Sequence, residues 1–120
     1  MKSKIALAFE NCKNEKRAAL ITYTVAGDNT KDNSLKILNK ISEHADILEL
    51  GFPHNTPIAD GGQIQGSSHR ALKNGIKLKD VFLIVKKFKK INPSKPLILM
   101  GYYNLIYQSG ENNFLKNCKS

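Results

Sequence analysis

The chain has 120 residues, of which 41% are apolar and 24% charged. That suits one region, residues 1–120, with a single hydrophobic core, and excludes a disordered or collagen-like chain. It is too short for a closed eight-unit α/β barrel, which takes about 250 residues. The formal charge is +9, but only Arg17 and Arg70 are arginines and the excess is lysine spread along the chain. Nucleic-acid sites favour forked arginine contacts interleaved with aromatic rings, so no nucleic-acid partner is expected. The uninterrupted apolar stretches are far below the roughly 20 residues of a membrane helix. The apolar run Ile5–Phe9 is too short for a signal peptide and ends at Glu10 without a cleavage site. A soluble, cytoplasmic protein is expected. Cys12 and Cys118 form neither a disulfide framework nor a metal-ligand spacing.

In chain order, Lys4 to Lys16 predicts a helix. Ala18 to Gly27 is continuous and β-prone, and predicts a buried strand closed by Gly27-Asp28-Asn29. Leu35, Leu38, Ile41 and Ala45 recur at helical spacing from Lys31 to His44, with Asp28, Asn29 or Thr30 as the cap. Asp46 to Gly51 is a second strand, with Asp46 a turn residue at its start. The loop Phe52 to Gly62 holds two prolines and two glycines, which exclude regular structure from most of it. Gln63 to Asn74 predicts a helix stopped by Gly75. Leu78, Val81, Phe82, Val85, Phe88 and Ile91 predict an amphipathic helix, broken at Asn92-Pro93. Leu97 to Met100 is a third strand, Gly101 to Asn104 follow it, and a last helix runs from Glu111 to Lys119. Strands alternating with helices predict α/β architecture with parallel pairing.

Function in such folds gathers beyond the carboxyl ends of the strands. Glu49 lies within the otherwise apolar Ile47–Leu50 strand. A carboxyl in an apolar setting suits a group that both gives and takes a proton. The alternative is a Glu49 exposed at an edge or paired with a lysine. Asp60, in Ala59-Asp60-Gly61-Gly62, is either a second carboxylate delivered to the same cavity or the N-cap of the following helix. Tyr23, Met100, Tyr102 and Tyr103 sit at strand ends, where they can wall a flat apolar ligand or simply pack a core. His44, His54 and His69 have no common metal spacing, and no metal site is expected.

The run Leu48-Glu49-Leu50-Gly51-Phe52-Pro53-His54-Asn55-Thr56-Pro57-Ile58-Ala59-Asp60-Gly61, followed by Ile64-Gln65, resembles the signature of the tryptophan synthase alpha subunit. Ala19 to Asp28, Arg70 to Gly75 with Val81-Phe82, and Met100 to Tyr107 agree with it in order. The resemblance implies part of a (βα)8 TIM barrel: an amino-terminal helix and the first three βα units, with an extra helix after strand two. It implies a lyase that cleaves indole-3-glycerol phosphate to indole and glyceraldehyde 3-phosphate. Glu49 matches the general acid/base, and Asp60 the group facing the indole nitrogen. Tyr23, Ile64, Met100 and Tyr102 match the indole wall. No cofactor is implied in this subunit; pyridoxal phosphate belongs to the beta subunit, the implied partner in an alpha2-beta2 assembly. Pro53, Thr56 and Asn104 match positions of the surface toward that partner.

Two departures stand out. The family's Phe-Ser-Asp is His54-Asn55-Thr56 here, and the proline after Asp-Gly is Gly62. The family's phosphate-binding glycines and mobile loop belong to later strands, so these 120 residues by themselves are expected to be weak or inactive. The alternative function is a non-catalytic basic interaction module.

Overall fold

The computed structural model describes residues 2–119. Its elements are α1 (Lys4–Asn14), β1 (Ile21–Val25), α2 (Lys31–Ser42), β2 (Ile47–Gly51), α3 (Gly62–Lys73), α4 (Leu78–Ile91), β3 (Leu97–Met100), α5 (Tyr103–Ser109) and α6 (Glu111–Lys119). Among the described residues the strands form one parallel sheet in the order β1-β2-β3. This is the strand–helix alternation expected, and it is the architecture of part of a TIM barrel.

Local chemistry sets the element ends. Ser3 caps α1 by accepting the Ala6 N–H at 3.1 Å, and Thr30 caps α2 by accepting that of Asn33 at 3.0 Å. Of the three residues considered for the α2 cap, Thr30 does the work. The end of α3 is a Schellman closure: Gly75 N–H reaches Leu72 O at 2.9 Å and Ile76 N–H reaches Ala71 O at 3.2 Å. Gly75 has φ +75°, the left-handed conformation that glycine adopts without a Cβ penalty. The segment after β3, to which sequence patterning assigns no element, is helical, since Tyr103–Ser109 forms α5. Leu105 and Ile106 draw that turn onto the core, and Gly110 at φ +81° separates it from α6.

The two faces of the sheet differ. The register aligns Thr22 with Leu48 and Leu97, and Thr24 with Leu50 and Leu99. Alternation puts these residues on one side. Leu48 and Leu50 join Leu38 of α2 and Val81, Ile84 and Phe88 of α4 in the buried core. The Thr22 and Thr24 hydroxyls lie buried on this side without a hydrogen-bond partner. The other face carries Ile21, Tyr23 and Val25, then Ile47, Glu49 and Gly51, then Ile98 and Met100. At its rim Ile21 and Met100 are each 45% exposed. The lysines of Lys86–Lys90 flank the fully buried Phe88, so this charge run is the solvated side of an amphipathic helix.

The start of the sheet is held by Asp46. Its carboxylate accepts from both terminal guanidinium nitrogens of Arg17, at 2.7 and 2.8 Å, and from the Leu20 N–H at 2.8 Å. Those contacts hold its pKa well below the usual carboxylate range, Arg17 first and the Leu20 N–H next. Asp46 is therefore a clamp, which the expectation of a plain turn residue missed.

Candidate active site

A cavity of about 200 Å³ opens at the carboxyl ends of the strands. Tyr23 enters from β1, Phe52, His54, Ala59 and Asp60 from the loop after β2, Ser68 from α3, and Met100, Gly101 and Tyr102 from the end of β3. Two glycines make room for it. A Cβ on Gly51 would meet the Tyr23 hydroxyl at 2.0 Å, and one on Gly101 would meet the Phe52 ring at 2.1 Å. Phe52 is buried and packs on Phe114 of α6, ring centroids 5.8 Å apart, which seats the last helix behind the cavity.

Glu49 lies beside Tyr23 in the register and on the same face as Gly51, over which the Tyr23 hydroxyl sits. It is half-buried between the fully buried Leu48 and Leu50. Among the described residues it makes no ion pair, so the lysine-paired alternative does not hold. Glu49 does not itself line the 200 Å³ cavity; it stands on the sheet face below it.

Asp60 does line it. The N-cap of α3 is Gly61, with no side-chain cap, so the capping alternative for Asp60 fails. The carboxylate meets the Tyr102 hydroxyl at 3.4 Å, a long contact, while that hydroxyl accepts the Ala59 N–H at 2.9 Å. Burial, then the carboxylates of Asp60 and Glu49, push the Tyr23 phenol above its ordinary pKa. Tyr23 is thereby kept neutral, and the site holds two carboxylates and two phenols within mutual electrostatic reach.

Of the expected wall, Tyr23, Met100 and Tyr102 are in place. Ile64 is half-buried, packs against the core, and does not line this cavity. Tyr103 points away: it is 59% exposed, hydrogen-bonded to Glu111 and packed on Tyr107. Thr56 and Asn104 present surface, whereas Pro53 is buried. Five lining residues, Phe52, His54, Ala59, Ser68 and Gly101, were not among the site residues expected from the sequence. Ser68 is buried, 3% exposed, and lines the cavity from α3. His54 lies stacked on Tyr102, centroids 5.0 Å apart. No spacing marks Ser68, since Ile64, one helical turn before it, does not line the cavity. His54 gives no such signal, because its placement depends on the Tyr102 ring, which follows β3.

Asp28 of the β1–α2 turn holds α3 against β1. It accepts from Arg70 at 2.7 and 2.8 Å and from Ser67. Arg70 and then Ser67 hold its carboxyl below its usual pKa. No group of three His, Cys, Asp or Glu among the described residues is arranged to hold a metal ion. No described helix is long and apolar enough to cross a membrane.

The family model for the tryptophan synthase alpha chain matches residues 9–120. The chain belongs to the tryptophan synthase alpha chain family. It is 70% identical over 117 residues to the tryptophan synthase alpha chain of Pelagibacter ubique, covering 98% of this chain and 44% of that one. To the alpha chain of Pyrococcus furiosus it is 49% identical, over 88% of this chain and 42% of that one. A solved structure from Aquifex aeolicus superposes with a TM-score of 0.91 at 36% identity, over 96% of this chain and 45% of that chain. A solved tryptophan synthase a2b2 complex from Pyrococcus furiosus superposes with a TM-score of 0.80 at 50% identity, over 84% of this chain and 43% of that chain. The chain thus spans less than half the length of the relatives it matches. At the strand ends, Tyr23, Asp60, Met100 and Tyr102 line one cavity, and Glu49 stands on the sheet face below it.

Proposed function

We propose that this chain supplies the acid/base half of a lyase site that cleaves indole-3-glycerol phosphate to indole and glyceraldehyde 3-phosphate. The observation that carries the reading is the placement of Glu49 and Asp60 on one side of the sheet, beside a wall of Tyr23, Met100 and Tyr102. The 70% identity to an alpha chain supports it.

The retro-aldol step breaks the bond between the indole ring carbon and the glycerol carbon. Glu49 gives a proton to the ring carbon and takes one from the glycerol hydroxyl as that oxygen becomes the aldehyde. Protonation of the ring carbon places positive charge on the indole nitrogen, which the Asp60 carboxylate stabilises. Tyr102 orients Asp60, and Tyr23 and Met100 shape an apolar slot for the flat ring. Every step uses side chains of this chain, and none calls on a cofactor held by it. The phosphate is held by strands beyond those described.

A protein of this kind works in the cytoplasm. It docks on a beta subunit that carries pyridoxal phosphate, through the exposed surface around Thr56 and Asn104. An a2b2 complex is the assembly of the Pyrococcus furiosus relative.

The test is indole release by the assembled enzyme. Glu49→Gln keeps the shape and removes the proton carrier, so the rate should fall by about 10²–10⁴. A variant within about tenfold of the parent removes Glu49 from this role.

A further inference from the structure

The loop after β2 carries Asp60, and a pair of aromatic rings braces it. At its start, His54 Nδ1 accepts the Thr56 backbone N–H at 3.0 Å. A ring nitrogen that accepts an N–H carries no proton, so the proton of the neutral ring is on Nε2. The ring stacks on Tyr102 with planes inclined by 28°. At the far end of the loop, the Tyr102 hydroxyl accepts the Ala59 N–H and faces the Asp60 carboxylate. The two ends of the loop are thus fastened through one stack.

The titratable groups around His54 are few. Tyr102 faces it from the end of β3, Asp60 from the far end of the loop, and Tyr23 from β1, all lining the same cavity. Glu49 of β2 lies on the sheet face below. No lysine or arginine lines the cavity.

We propose that His54 is a positioning residue for Asp60, and that it holds the Asp60 loop only while its ring is neutral. The proposal rests on the lyase reading for the purpose of that loop. Protonation at Nδ1 would turn an acceptor into a donor aimed at the Thr56 N–H. Two donors then face each other and the contact opens. The new positive charge also shares the cavity with the Asp60 carboxylate, where no lysine or arginine is among the lining residues, which draws the ring toward Asp60 and away from its perch.

The test is NMR of the ¹⁵N-labelled protein without substrate. At alkaline pH the His54 ring should show an unprotonated Nδ1 and a protonated Nε2. On acidification, Thr56 amide protection, corrected for intrinsic exchange, should drop by about fivefold, the worth of one neutral hydrogen bond. The Ala59 and Asp60 signals should move with the same midpoint as the His54 ring. His54→Asn puts an oxygen that does not titrate where Nδ1 was, so it should keep the protection and abolish the pH step. His54→Phe keeps the stack without the acceptor and should lose the protection at every pH. A protonated Nδ1 in the alkaline spectrum overturns the proposal. So does Thr56 protection that ignores His54 ionisation, or a His54→Phe protein that behaves as the parent. None of these readouts involves turnover, so their failure is distinct from failure of the lyase reading, which indole release by Glu49→Gln decides.

Discussion

A methyl group on Gly51 would sit 2.0 Å from the Tyr23 hydroxyl oxygen and 2.6 Å from the carbon that bears it. Neither the strand backbone nor the half-buried Tyr23 ring readily yields that much space. Gly51→Ala should therefore destabilise the protein by about 1–3 kcal/mol, the usual range for overpacking. Tyr23→Phe in that background should recover part of the loss, because it removes the nearest atom. Urea unfolding of the two single variants and the double variant checks this, and strictly additive losses would show that the two residues do not meet. Asp60 poses a different question, since its carboxylate makes only a long contact, with Tyr102. Asp60→Asn keeps the shape and deletes the charge, so it should cost about 10²-fold in indole formation with little effect on folding. An unchanged rate would remove Asp60 from the site. At this scale Glu49 and Asp60 were legible in the sequence, as polar residues in apolar or turn-rich settings. Ile64 does not line the cavity that the described residues form: half-burial on α3 is compatible with facing either the core or the cavity, and helical spacing does not distinguish the two.

Among the elements, the clamp of Arg17 on Asp46 and the closure of α3 carry sharp expectations. The folded Asp46 has a pKa depressed below its unfolded value, so its stabilisation is complete above the ordinary aspartate value of about 3.9. It is lost as the pH falls from there through the lower folded value. The urea midpoint should decline on acidification over that window, and Asp46→Asn should be less stable at neutral pH with a shallower decline. Equal acid slopes for the two proteins would place the acid sensitivity elsewhere, with Asp28 and Asp80 the next candidates because both are also depressed. At Gly75 a Cβ would meet open space, so only the left-handed backbone opposes alanine there. Gly75→Ala should cost about 1–2 kcal/mol, read from the same unfolding curves. Helices α2, α3 and α4 were legible because their apolar spacing and end signals agree. Helix α5 was not, because it has seven residues, no side-chain cap and no acidic first turn. Tertiary contact of Leu105 and Ile106 with the core supplies what local propensity lacks.

Across the whole molecule, the sheet presents one face to helices and the other to a site that the described strands only partly enclose. Ile21 and Met100 are each 45% exposed, so water reaches the face that carries Glu49. Electrostatic stabilisation of a reacting group depends on fixed dipoles in a water-poor setting. A polypeptide of these residues alone should therefore release indole well below about 1 per second, an ordinary enzymic rate. An indole-release assay on it checks this, and a rate of about 1 per second or more would show that the described site suffices for turnover. Alternation of apolar strands with amphipathic helices determined the α/β parallel architecture from the sequence alone, because hydrophobic periodicity and turn residues act within a few positions. The motif from Leu48 to Gln65 likewise determined the family. Tertiary structure decided which side chains share the cavity: Ser68 and His54 belong to it, Ile64 and Tyr103 do not. The reason is physical. Membership of a cavity depends on the register between strands and on rings arriving from distant elements, and neither is encoded at a fixed spacing along the chain.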